Sequence, residues 1–272
     1  MKTLFRLLSV LPLFLLHTLG SVLGWVAFLS SPVYRRRFLA NAAQAGLRFA
    51  DVRRAISAAG ALVAETPRLW FGRPPRIEWD GAELIDQART AGRGLVFLTP
   101  HLGCFEATAQ AYAASHGTIT VLYRPARKAW LRDLVDTARG RPRLATAPTN
   151  LAGVKQMLRA LKAGEAVGLL PDQVPPQGLG EWAPFFGRAA YTMTLPARLA
   201  QQTGARILLA WGERLKWGRG YCIHLREVPA LLAGEPAAAA AQVNAMMEEL
   251  IRECPAQYLW GYARYKSPAE AR

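Results

Sequence analysis

Residues 94–106 read GLVFLTPHLGCFE: an apolar run closes at Pro100, His101 follows, and Glu106 stands five positions later. This H-x4-E spacing suits acyl transfer. A histidine can take the proton of an incoming hydroxyl only if one ring nitrogen faces the substrate, and a carboxylate on the other nitrogen fixes that tautomer. The spacing therefore makes His101 the candidate general base and Glu106 its carboxylate. His17, His116 and His224 have Val22, Val121 and Pro229 at the same offset, so the motif occurs once. The bland alternative is a loop histidine and a glutamate on a solvated helix face. Since this composition gives roughly 0.3 chance matches per chain, position has to decide.

Other polar residues fall in comparable places. Arg124 in LYRP follows an apolar run, and so do Asp172 and Gln173 in LLPDQ. Arg124 would offer a fixed positive charge to a phosphate or to the oxyanion formed when a thioester is attacked. Asp172 could orient the acceptor or hold Arg124. Arg139 and Arg141 form a second basic cluster that could replace Arg124. Taken singly, Arg124 also reads as a surface charge and Asp172 as a turn residue. Cys104 lies between His101 and Glu106, but nothing else resembles a thiol hydrolase, and a small apolar helix-start residue is the better reading.

An alternating α/β pattern is needed to bring these residues together. Strands are predicted at 95–99, 118–123, 166–170, 206–211 and 221–226, with a short one at 76–79. Helices are predicted at 82–91, 104–115, 128–138, 151–163, 194–203 and 236–253, behind a helical lead-in over 37–71 broken by Gly60, Pro67 and Gly72. Such alternation implies a single α/β domain with a largely parallel central sheet flanked by helices. Its strand ends would gather His101, Arg124 and Asp172 along one edge.

The N-terminus adds a membrane element. Between Arg6 and Arg35 no side chain carries a formal charge, and residues 7–29 are dominated by Leu, Val, Phe, Trp and Ala. That length can cross a bilayer. A retained anchor over 1–36, with Arg35, Arg36 and Arg37 meeting lipid phosphates, would precede a catalytic domain over 37–272. Pro12, Gly20 and Gly24 would weaken a straight span, so a tilted or interfacial insertion stays open. On this division, deleting 1–31 should affect membrane association more than chemistry.

The formal charge of +15, with 51% apolar residues over 272, excludes disorder and implies an anionic partner. No nucleic-acid-binding signature is present, so membrane lipid is favoured over nucleic acid. Three separated cysteines, Cys104, Cys222 and Cys254, suggest no disulfide framework. H-x4-E is not a zinc-ligand spacing, and neither metal nor cofactor is expected.

TPHLGCFE, LYRP, LLPDQ followed by WAPFFGR, and the terminal QYLWGYARYK together resemble the lipid A biosynthesis acyltransferases, the lauroyl and myristoyl transferases, over most of the chain. That family is similar to the wider glycerolipid acyltransferases. The resemblance implies a bacterial inner-membrane enzyme, its catalytic domain facing the cytoplasm. It would move a fatty acyl group from acyl carrier protein, or from acyl-CoA, to a hydroxyl of a phosphorylated glycolipid acceptor. It matches His101 to the base, Glu106 to its partner, Arg124 to the second block, and Asp172 with Gln173 to the third. Pro184, Phe185, Phe186 and Gly187 would lie near acyl chains, although a Phe pair is more often core. Trp260, Arg264 and Lys266 would make phosphate or surface contacts. The competing readings are a lysophospholipid acyltransferase of the same chemistry and a non-enzymatic membrane protein that binds anionic lipid.

Overall fold

A computed structural model describes residues 2–90, 92–123, 141–228 and 234–268. Helices α1 (Lys2–Ser9) and α2 (Leu13–Ser30) are divided by Pro12, and α3 (Pro32–Gln44) starts at Ser31, whose hydroxyl accepts the Tyr34 N–H. After α4 (Phe49–Val52), α5 (Arg54–Phe71) runs unbroken through Gly60 and Pro67. Gly60 does not break the helix because it is a packing residue. A Cβ there would lie 1.8 Å from the Gly20 carbonyl oxygen, and one at Gly24 would lie 2.2 Å from that of Ile56. Helices α2 and α5 thus cross backbone to backbone, as small residues four apart permit.

The sheet follows. Strand β1 (Ile77–Asp80) leads through α6 (Glu83–Thr90) to β2 (Leu95–Leu98), α7 (Phe105–Ser115) and β3 (Ile119–Tyr123). Beyond the undescribed 124–140 come β4 (Leu144–Pro148), α8 (Leu151–Lys162), β5 (Ala166–Leu169), and a hairpin of β6 (Gly180–Phe185) and β7 (Arg188–Met193). Helix α9 (Leu195–Thr203), β8 (Arg206–Arg214), β9 (Tyr221–Glu227) and α10 (Pro236–Glu253) complete the order. Asn150 caps α8 by accepting the Gly153 N–H, and Gly204, in the left-handed region, ends α9.

The sheet order is β1-β9-β8-β2-β5-β3-β4, parallel throughout except for the β8–β9 pair. Side chains alternate across it: Leu95 and Phe97 of β2 pack with α6 and α7, while Val96 and Leu98 pack with α8, α9 and α10. The result is a helix–sheet–helix sandwich in one α/β domain.

Besides the unbroken α5, the structure differs from the sequence reading at β4, which was not expected, and at the following places. The stretch after LLPDQ is a two-stranded hairpin, turned at Phe186 and Gly187, both at positive φ. Tight hairpin turns need that left-handed backbone, and a phenylalanine in the first turn position concealed it. Position 36/37, where the anchor was expected to end, lies inside α3. α2 is long and apolar enough to span a membrane, yet one of its faces is sealed on α5. Its other face leaves Phe14, Leu15, Leu19, Val22, Leu23, Val26 and Leu29 exposed.

Candidate active site

His101 lies three residues past the end of β2, and Asp172 three past the end of β5. The strands are parallel neighbours with Leu98 opposite Leu169, so in-phase extension brings the two side chains together. Nδ1 of His101 is 2.8 Å from Asp172 Oδ1, and the His101 backbone N–H donates to Oδ2 at 2.9 Å. Opposite a carboxylate, Nδ1 carries the proton and Nε2 keeps the lone pair. Asp172 is 1% exposed. Burial alone would raise its pKa, but His101 above all, with Arg264 behind, brings it below the usual carboxylate range. The Tyr258 hydroxyl also faces Asp172, and burial together with that carboxylate pushes its pKa far up.

The carboxylate on Nδ1 is that of Asp172, where the spacing led to the expectation of Glu106. Glu106 occupies the first turn of α7, where the helix dipole favours a negative charge. It is half-buried, and its field reaches Arg141. Phe105, beside it, stands edge-on to the His101 ring at 4.9 Å.

The turn between β2 and α7 is held on several sides. Gly103 has φ +59°, and a Cβ there would lie 2.0 Å from the Gly212 carbonyl oxygen. Its N–H donates to the Gln257 carbonyl at 3.0 Å, the Cys104 N–H to Gly212 at 2.7 Å, and the Leu259 N–H to the His101 carbonyl at 3.1 Å. Arg214 Nη2 donates to the Gly103 carbonyl at 2.8 Å. The same guanidinium holds Glu65 of α5 through Nε and Nη2, and Glu65, 0% exposed, also takes the Tyr221 hydroxyl at 2.9 Å and meets His17 Nε2 of α2 at 2.9 Å. Burial would raise the Glu65 pKa, but Arg214 and His17 bring it down to about 2. A chain of charged and polar contacts thus links the N-terminal helix to the turn carrying His101.

An apolar cleft lies between α7 and the sheet. Phe97, Thr108, Ala109, Tyr112, Val121 and Ile223 line it, and Thr99 and Phe105 bring it beside His101. Cys104 is buried, and desolvation, with Glu65 next, pushes its thiol far above the ordinary value, which disfavours a thiolate nucleophile.

The remaining expected residues divide. Gln173 is half-buried next to Asp172. Arg124, Arg139 and the helix expected at 128–138 lie outside the described residues. Arg141 is committed to protein: it donates to Gln110 Oε1 at 3.0 Å and to the Leu69 and Trp70 carbonyls at the end of α5. Burial lowers its pKa, with Glu106 opposing. Phe185, Phe186 and Trp260 belong to the core rather than to an open lipid face, and Pro184 lies in β6. Arg264, expected near the surface, is 2% exposed; it donates to the Tyr191 carbonyl, the Thr192 hydroxyl and Asn244 Oδ1, and burial lowers its pKa. Lys266 is exposed, its Nζ 5.2 Å from the Tyr262 ring centre. The terminal block is therefore a clamp beneath the site: Asn41 donates to the Trp260 and Tyr262 carbonyls, and Tyr262 accepts the Val174 N–H. Glu65, Arg214 and Gln257 escaped the sequence reading because their partners lie at distant positions in the chain.

Comparison with known proteins adds the following. Residues 2–267 match the family described as Bacterial lipid A biosynthesis acyltransferase. The lipid A biosynthesis lauroyltransferase of Escherichia coli (strain K12) is 30% identical over 212 residues, covering 76% of this chain and 68% of the relative. The palmitoleoyltransferase of the same strain is 28% identical over 213 residues, covering 76% and 69%. Its myristoyltransferase is 25% identical over 191 residues, covering 68% and 58%.

Proposed function

Because this chain belongs to the bacterial lipid A biosynthesis acyltransferase family, we propose that it transfers a fatty acyl group from acyl-acyl carrier protein to a hydroxyl of a phosphorylated, acylated glucosamine disaccharide, with His101 as general base. The observation that carries the reading is the His101–Asp172 pair, whose imidazole meets Phe105, a residue lining an apolar cleft under α7. Asp172 holds Nδ1, so Nε2 accepts the acceptor's hydroxyl proton as its oxygen attacks the thioester carbonyl. The tetrahedral oxyanion collapses, the C–S bond breaks, and the proton held on His101 leaves with the thiolate. An ester and a free thiol result, with no covalent enzyme intermediate.

The cleft takes the acyl chain, its walls being apolar and its lining residue Phe105 meeting the His101 ring. Glu106 acts as a second negative charge at the start of α7, its field reaching Arg141. Arg124 supplies the positive charge for the oxyanion or for an acceptor phosphate, a role that Arg141, occupied by three protein acceptors, fits less well. The apolar outer face of α2 supports an enzyme held at a membrane, and in this reading that is the inner membrane, with catalysis on its cytoplasmic side.

The test is a panel. Acyl carrier proteins and acyl-CoAs of different chain length are offered with a lipid A precursor or a lysophospholipid, with His101→Ala as the blank. The expected result is transfer from acyl carrier protein to the lipid A precursor, reduced by about 10² to 10⁴ in the variant. Transfer only to lysophospholipid would move the reaction to glycerolipid chemistry. Transfer to neither would leave a lipid-binding protein.

A further inference from the structure

Trp217, between β8 and β9, is 88% exposed, the most exposed large apolar side chain among the described residues. Its backbone is left-handed, at φ 61° and ψ 25°, a conformation that non-glycine residues seldom adopt. Lys216 and Arg219 flank it, both exposed. The adjacent Gly218 abuts the first turn of α2 so closely that a Cβ there would lie 2.3 Å from the Phe14 backbone nitrogen. The tryptophan therefore stands at the edge of the apolar face formed by Phe14, Leu15, Leu19, Val22 and Val26.

We propose that the loop Lys216–Arg219 is a second membrane contact, which places the Trp217 indole in the interface of an anionic bilayer and sets Lys216 and Arg219 against lipid phosphates. The indole has an apolar body and one N–H donor, which suits the boundary between headgroups and acyl chains. Cationic side chains on either side supply attraction to a negative leaflet. The occupant is a bilayer rather than a protein because the loop continues the exposed face of α2 and its charge is wholly positive. The contact also fixes orientation. Trp217 follows Arg214 by three residues, and Arg214 holds the Gly103 carbonyl of the catalytic turn, so the loop that meets lipid and the turn that carries His101 hang from one arginine.

The proposal rests on the chain being a membrane-anchored acyltransferase. Its test reads depth rather than turnover, so transfer can persist while this contact fails. Full-length protein is reconstituted in phosphatidylethanolamine vesicles containing phosphatidylglycerol, and tryptophan emission is compared between wild type and Trp217→Phe. The component missing from the variant is expected to be blue-shifted, and to be quenched by lipid brominated near the headgroup end of its chains but not by aqueous iodide. Quenching by iodide and not by bromolipid would overturn the proposal. In Lys216→Gln/Arg219→Gln protein, with unchanged circular dichroism, bromolipid quenching should fall; undiminished quenching would overturn the role of the charges.

Discussion

Arg214 donates to the carbonyl of Gly103 across 2.8 Å, so the turn bearing His101 is tied to an arginine whose own counter-charge, Glu65, is buried under the N-terminal helices. Gly103 has no room for a side chain and Glu65 has no contact with water, which leaves this tie little freedom to shift.

Removing one partner of a buried pair strands the other. Glu65→Gln is expected to cost about 3–5 kcal/mol, as is Arg214→Met, while the double variant should lose clearly less than the sum. Chemical denaturation of the four proteins measures the coupling; simple additivity would contradict the pair. The pH dependence has a definite sign. The Glu65 carboxyl lies below its ordinary 4.5, at about 2, so its contribution is present above pH 4.5 and is lost as pH falls toward 2. The depressed Asp172 carboxyl acts in the same direction. The double variant should show a weaker loss across this window than wild type, and an equal loss would remove Glu65 as its source.

Deleting residues 1–31 is expected to destabilise the folded protein as well as release it from membranes. This differs from the division the sequence suggested, because α2 contributes Leu13, Leu16 and Phe28 to the core and places His17 on Glu65. Thermal unfolding and limited proteolysis in detergent measure the effect. A truncated protein with wild-type melting and kcat would contradict the docking of α2.

If the cleft beneath α7 holds the acyl chain, filling it should shift chain-length preference. Ala109→Phe projects a ring into the space between Tyr112 and Val121, and should lower kcat/KM for a long-chain donor by about tenfold relative to a short-chain one. An equal effect on both donors would move the acyl chain elsewhere.

Most of the sheet was legible because its central strands are continuous apolar runs bounded by glycine and proline, whereas the edge strand β4, LATAP, carries no such run and was missed. The helices around it carried ordinary start and stop residues, such as Asn150 and Gly204. The β6–β7 hairpin was hidden by Pro184 within a strand and Phe186 in its turn. His101 and Asp172 were each visible at a strand end, but their pairing was not, because it depends on β2 and β5 being neighbours in register, a long-range fact. Local spacing favoured Glu106 instead. Arg264 and Trp260 read as a surface block because aromatic and basic residues alternate there, whereas their contacts come from α10 and the hairpin.

The central claim is that Asp172, rather than Glu106, holds the imidazole that takes the proton. Asparagine has one acceptor oxygen where the ring and backbone N–H groups of His101 require two. The most direct measurement is the single-turnover rate of acyl transfer in Asp172→Asn beside Glu106→Gln. Asp172→Asn is expected to fall by about 10² to 10⁴ with donor affinity little changed, and Glu106→Gln by clearly less. A near-normal rate for Asp172→Asn together with the larger loss in Glu106→Gln would contradict the account.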